Sequence, residues 1–265
     1  MSSMNGLTTV NIELTSKCNK SCWMCGRRKL ERDHPKLARD FGNMPLKLVR
    51  KITSQIPSGI LIQFHNNGEP LMYPNLGTAL AYFNQNIRCL NTNGKLLLEK
   101  ADEIIGNLDT LTVSVIPNDP EGDEQYDIVK SFVKRKKSRR PYMVYRLLGG
   151  VERSDRWEEL EGTVARRILH DPMGSRNYEK TVTIPEHGIC LDLLSHLAID
   201  RWGNVAHCVR FDPEGEGRLG NIKSKSLASI WKSVKRREII ERHIQGRRDE
   251  VPLCSGCDYW GIPRG

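Results

Sequence analysis

The stretch Val10-Asn11-Ile12-Glu13-Leu14-Thr15-Ser16-Lys17-Cys18-Asn19-Lys20-Ser21-Cys22-Trp23-Met24-Cys25 decides the reading of this chain. Val10 to Leu14 alternates apolar and polar residues, the pattern of a strand, and runs directly toward Cys18. Cys18, Cys22 and Cys25 then follow at CxxxCxxC spacing. Thiolates are soft ligands, and clustered cysteines select iron–sulfur clusters or zinc. Three ligands on a four-iron cluster leave one iron open, the position a metal needs to bind a substrate or cofactor.

Working outward, eight cysteines stand in the 265 residues, at 18, 22, 25, 89, 190, 208, 254 and 257. Met1 to Leu14 has no basic segment followed by an apolar run, and no apolar stretch approaches the ~20 residues of a membrane span. The expectation is a cytoplasmic protein, where close cysteine spacing means metal rather than disulfide. Cys89 stands alone in an apolar strand and reads as a small buried hydrophobe. The formal charge of +9 raises nucleic acid as a partner. Metal-bound thiolates would lower that charge, however, and the basic residues are dispersed. Their densest run, Lys134 to Arg140, reads as a solvated helix end before Pro141. Nucleic acid and membrane are both disfavoured.

Strand and helix patterns alternate through the first two-thirds. Strands are expected at Val10–Leu14, Ile60–His65, Arg88–Leu90, Leu111–Ile116 and Met143–Leu147, with one more near Arg166–Leu169. Helices are expected on the spacing of Leu46/Val49/Ile52/Ile56, of Leu76/Leu80/Phe83, over Leu96–Ile105, and on Tyr126/Val129/Val133. This is the pattern of parallel βαβ units, an α/β fold. After Pro185 the pattern changes. Leu197–Asp200 and Val205–Val209 flank Arg201-Trp202-Gly203-Asn204 and read as a hairpin. Ser226 caps an expected helix through Ile230, Trp231 and Val234 toward Gln245, and the chain ends in a cysteine-bearing loop from Pro252. The expected division is 1–185 and 186–265.

The N-terminal cysteine motif resembles the signature of the radical S-adenosylmethionine (SAM) superfamily, and the resemblance continues along the chain. Asn67-Gly68-Glu69-Pro70 follows the second strand, where that family has a Gly-Glu motif for the SAM amino group. Asn91-Thr92-Asn93-Gly94 follows the third, and Ser114 lies in the fourth, both at family SAM positions. Met24 takes the place just before the third cysteine, where the family commonly has an aromatic residue near adenine. The resemblance implies a partial (β/α)6 barrel with its site at the strand ends. It implies a [4Fe–4S] cluster on Cys18, Cys22 and Cys25, and SAM contacts from Met24, Gly68, Glu69, Thr92, Asn93 and Ser114. It also implies reductive cleavage of SAM to a 5′-deoxyadenosyl radical that abstracts hydrogen from a substrate. A reducing partner such as flavodoxin or ferredoxin follows from that.

Cys190, Cys208, Cys254 and Cys257 form the second group. Four thiolates suit either one fully ligated cluster or a structural zinc. The arrangement resembles the SPASM/twitch domains of radical SAM enzymes in a short, one-cluster form, which implies a second [4Fe–4S] cluster beside the hairpin and helix. An aminocyclitol dehydrogenase family within that superfamily is similar over most of the chain. The implied reaction is oxidation of a secondary alcohol of a sugar or aminocyclitol, with the second cluster taking the electron. Epimerisation and peptide modification are the competing reactions. The expected substrate is a small polar molecule. Arg146, His65, and His170 with Asp171 stand at strand ends as candidates for substrate binding or base catalysis, although each alone also reads as a salt-bridge or hydrogen-bond partner. A zinc-stabilised RNA-binding module without catalytic activity is the rival class. It explains the cysteines and the charge, but not Gly68-Glu69-Pro70 or Thr92-Asn93-Gly94.

Overall fold

A computed structural model describes residues 4–38, 40–167, 188–209 and 212–257. Its strands are β1 (Thr9–Ile12), β2 (Leu61–Phe64), β3 (Ile87–Thr92), β4 (Thr110–Val115), β5 (Tyr142–Leu148), β6 (Thr163–Arg167), β7 (His196–Ile199), β8 (Asn204–Ala206) and β9 (Arg218–Asn221). They form one sheet in the order β6-β5-β4-β3-β2-β1-β7-β8-β9. β1 to β6 are all parallel, the partial barrel of an α/β protein.

The apolar residues put one sheet face against the helices. Val10, Ile12, Ile62, Phe64, Leu90, Val113, Tyr145 and Leu147 are buried in one cluster with Leu48, Val49 and Ile52 of the Leu46–Thr53 helix and Val129 and Phe132 of the Gly122–Lys136 helix. Each such side chain, fully buried, contributes about 1.5–3 kcal/mol. The strand period of two then leaves Asn11, Gln63, Asn91, Thr112, Ser114 and Arg146 on the opposite, polar face. Register ties that face together: Gln63 pairs with Cys89, and Ser114 with Arg146.

The expected hairpin is present as β7 and β8, with Asp200 accepting from Trp202 N and Asn204 N across the turn. Gly203 supplies the positive φ of 86° there. β7 also pairs parallel with β1, Asn11 against Ala198, so the C-terminal hairpin continues the barrel sheet.

Five expectations change. The helix from Ser226 is two helices, Leu227–Trp231 and Val234–Ile244, because Ser233 caps the second through Arg236 N. Only Ala101–Ile104 is helical within Leu96–Ile105, and the Cys254 loop begins as a helical turn, Pro252–Ser255. Lys136 is not solvated. It is 1% exposed, and its ammonium donates to the carbonyls of Lys137 and Arg139 and to Glu161. Cys89 is buried, but on the polar face, two residues from Asn91, rather than in the apolar core.

Candidate functional site

The cysteine loop leaves β1 and is tied down at both ends. Thr15 and Ser16 hydroxyls donate to Gly42 O, and Glu69 N donates to Lys17 O at 2.7 Å. Lys20, inside the loop, is paired with Asp119 beyond β4, both side chains almost fully buried. Trp23 Nε1 donates to Pro117 O at 3.4 Å, which bridges the loop to the same segment. Cys18, Cys22 and Cys25 stand close enough to act on one another. Burial pushes Cys22 up to about 11; Lys20 pulls it back, and the Cys25 and Cys18 charges add to the rise. A thiol raised as Cys22 is stays protonated near neutral pH and would release its proton on binding a metal.

Gly68 lies where the Gly-Glu segment crosses this loop. Its φ is +82°, and a Cβ there would stand 2.5 Å from Thr15 O and 2.7 Å from Lys17 O. The next residue, Glu69, is 2% exposed, and its carboxylate accepts from Leu71 N, Thr92 Oγ1 and Asn93 N at 2.7–3.0 Å. Burial nonetheless pushes its pKa up to about 7. Asn93 Nδ2 donates to Asn19 Oδ1 at 2.8 Å and stands 4.0 Å from Cys18 Sγ. Gln125 holds the carbonyls of Asn93 and Ser114. Gly68, Glu69, Thr92 and Asn93 therefore meet beside Cys18, with Ser114 O joined to Asn93 O through Gln125, around a carboxyl group that a nearby cation would hold in its ionised form. Met24 belongs to the same loop, next to Cys25.

The polar face brings together His65 and Arg146. Burial first, and then the Arg146 cation, lower the His65 pKa to about 4, so the imidazole is neutral. His170 and Asp171 lie outside the described residues. Glu13, which the sequence reading passed over, accepts from Asn67 N and Nδ2 and titrates near 7, raised by burial. It lines a cavity of about 330 Å³ with Ser16, Arg27, Asn66, Asp200 and Cys208. Arg27 Nε and Nη1 and Asn66 Oδ1 are buried there without a hydrogen-bond partner among the described residues.

Cys190, Cys208, Cys254 and Cys257 wall a second, small cavity with His207, His243 and Arg248. Burial and the other three cysteines push Cys254 up to about 12. Among the described residues no three His, Cys, Asp or Glu side chains converge as ligands of a single ion. Ligands of one tetrahedral zinc would lie within about 4 Å of each other. Thiols spread around a cavity suit a multi-iron cluster, whose cysteines sit on different irons. Arg248 donates to the carbonyls of Cys254 and Cys257 and holds the CxxC turn. His207 Nδ1 donates to Gly217 O at 3.0 Å, and its Nε2 faces Cys254 Sγ at 3.7 Å. His243 Nδ1 faces Cys190 N at 3.4 Å. Neither histidine was marked by any motif; each becomes visible only once the chain folds.

Glu13 and Glu69 predict a pH dependence. A folded pKa near 7 against the ordinary 4.5 means that the folded state holds extra protons. The associated stability is fully present below about pH 4.5 and is lost as pH rises through about 7. Cofactor-free protein is expected to lose about 1.4 kcal/mol per carboxyl between pH 6 and pH 8. Urea midpoints at the two pH values measure this, and Glu13→Gln should flatten the difference. An unchanged midpoint would contradict it.

Comparisons with known proteins agree with this arrangement. Residues 190–258 match the SPASM family, an iron–sulfur cluster-binding domain. The chain is 25% identical over 260 residues to the S-adenosyl-L-methionine-dependent 2-deoxy-scyllo-inosamine dehydrogenase of Niallia circulans, covering 94% of this chain and 92% of that one. Its fold matches BtrN crystallised with AdoMet and 2-DOIA, at TM-score 0.63, 21% identity and 95% and 93% coverage. It also matches Streptococcus suis SuiB bound to S-adenosylmethionine, at TM-score 0.64, 13% identity and 97% and 73% coverage. No described helix is long and apolar enough to cross a membrane. By its motifs, its fold and its C-terminal match, the chain is similar to the radical SAM enzymes that carry a SPASM iron–sulfur domain.

Proposed function

We propose that this enzyme oxidises a secondary alcohol of a small sugar-like or aminocyclitol substrate to a ketone. Residues 1–185 hold SAM and a [4Fe–4S] cluster on Cys18, Cys22 and Cys25. Residues 186–265 hold a second [4Fe–4S] cluster on Cys190, Cys208, Cys254 and Cys257. When bound, SAM and the first cluster supply a 5′-deoxyadenosyl radical able to take a hydrogen atom from carbon.

The observation that carries this reading is the 330 Å³ cavity. Its wall includes Ser16 and Arg27 of the first cysteine segment and also Cys208 of the second. A substrate seated there lies beside both iron-binding segments, and the volume is in the range of small-molecule sites. Arg27 and Asn66 offer unsatisfied polar atoms to hydroxyl or amino groups. Glu13 and Asp200 add carboxylates that suit a protonated amine. The oxidation balances as follows. The carbinol carbon gives up a hydrogen atom, the hydroxyl gives its proton to a base, and the remaining electron passes to the second cluster. His65, kept neutral by burial and Arg146, is in the protonation state that a base requires. The relative's activity on 2-deoxy-scyllo-inosamine is consistent with this substrate class. The formal charge of +9 suits docking of an acidic electron carrier such as flavodoxin or ferredoxin.

The test is turnover of aminocyclitols, 2-deoxy-scyllo-inosamine first, by reduced protein with SAM in heavy water. The expected product is lighter by two hydrogens, with one SAM consumed per product molecule. A product of unchanged mass carrying one deuterium would replace this reading with epimerisation. Cys89, on the polar face, would then be the residue to replace.

A further inference from the structure

Among the described residues, the second cysteine cavity holds one buried side-chain polar atom without a hydrogen-bond partner. His243 ends the Val234–Ile244 helix and is 1% exposed. The Cys190 backbone N–H can only donate, so the His243 Nδ1 it faces at 3.4 Å accepts. The ring proton is therefore on Nε2. That Nε2 is buried and has no hydrogen-bond partner among the described residues, although the ring lines the cavity shared by the four cysteines. The other histidine of the cavity is arranged in the opposite sense. His207 spends its donor on Gly217 O, leaving Nε2 as the acceptor toward Cys254. Leu193 and Leu253 supply the apolar wall. Among the described residues no oxygen acceptor lies within hydrogen-bond reach of His243 Nε2; the cavity offers the sulfurs of its four cysteines, while its one carboxylate, Asp192, stands 3.7 Å from His196 Nδ1.

We infer that His243 Nε2–H donates a hydrogen bond to the sulfur of the auxiliary iron–sulfur site, a ligating thiolate or a cluster sulfide, and thereby raises that cluster's reduction potential. The inference rests on the assignment of a cluster to these four cysteines. A donor aimed at sulfur stabilises the reduced, more negative cluster over the oxidised one. Apolar burial acts the other way, since a low dielectric disfavours added charge. A cluster among Leu193, Leu253 and four thiolates needs such a donor if it is to accept an electron readily. His243 is placed to supply it without being a ligand, and Cys190 N fixes its tautomer and orientation.

The experiment uses the full chain carrying Cys18→Ala, Cys22→Ala and Cys25→Ala, so that the auxiliary cluster alone reports. Its midpoint potential is read by EPR-monitored redox titration with native His243, with His243→Leu and with His243→Gln. The leucine variant is expected to shift the one-electron equilibrium about tenfold toward the oxidised state, a fall of about 59 mV. Glutamine, which restores an N–H donor, should recover most of it. Pulsed EPR of the reduced cluster should show a histidine nitrogen coupling that changes on ¹⁵N-histidine labelling and disappears in both variants, a readout that native protein supplies even if the leucine variant fails to load. An equal potential in the leucine variant, or no histidine coupling in native protein, overturns the inference. Failure of the triple-alanine protein to take up about four irons would instead overturn the cluster assignment beneath it.

Discussion

Cys22→Ala protein, reduced with dithionite, is expected to form no 5′-deoxyadenosine above background, a loss on the order of a thousandfold or more, equivalent to at least ~4 kcal/mol of barrier. Cys22 is the middle thiol of three that act on one another across one loop. Three protein ligands are what leave one iron open, and losing one removes the anchoring of the cluster rather than tuning it. The loop itself should stand, because its fastenings lie elsewhere: Glu69 N on Lys17 O, Lys20 on Asp119, and Trp23 on Pro117 O. The variant should therefore fold and still load iron at Cys190, Cys208, Cys254 and Cys257. Iron analysis and deoxyadenosine chromatography check both halves. Undiminished cleavage would remove Cys22 from the ligand set.

Gly68→Ala is expected to be nearly as damaging for a different reason. At φ +82° alanine is strained by about 1 kcal/mol. The larger effect is contact: the new methyl would meet Thr15 O at 2.5 Å, Lys17 O at 2.7 Å and Ser16 C at 2.8 Å. All three are backbone atoms of the segment leading into Cys18, so relief requires moving that segment or the Glu69 segment. Overpacking of this kind costs about 1–3 kcal/mol. It also separates Glu69 from Cys18, the pair proposed above to flank bound SAM. SAM affinity, measured by equilibrium dialysis on reconstituted protein, is expected to fall at least ~100-fold, with a lower melting temperature. Binding within threefold of native would show that the two segments can slide apart without consequence.

Much of this site was legible in the sequence because its parts are local. Cys18, Cys22 and Cys25 lie on one loop, and Gly68-Glu69 and Thr92-Asn93 each follow a strand whose period is plain. Parallel pairing alone then carries the strand ends to one side of the sheet. What escaped the reading depends on long-range meetings. Lys136 sits in a basic run that looks solvated, and only the fold brings Glu161 and two carbonyls to it. His243 has no motif and gains its setting from Cys190, 53 residues away in sequence. The helix from Ser226 looked continuous because Val234 keeps the apolar spacing, but Ser233 offers its hydroxyl to Arg236 N and restarts it. Cys89 was placed by composition, whereas the two-residue period, counted from Asn91, assigns it to the polar face.

The parallel pairing of β1 with β7 bears on how the chain is made. β1 emerges from the ribosome well before β7, yet the strand that covers its second edge is residues 196–199. The β2 side can close as soon as residue 64 is available, but the β7 side waits for more than a hundred further residues. Contacts so distant in sequence form slowly, and an unpaired central strand is an aggregation hazard in the interval. A nascent chain halted before His196 would have Val10 and Ile12 on an open edge and should be captured by chaperones. Release past Asn221 should complete the sheet through β7, β8 and β9 in one late step.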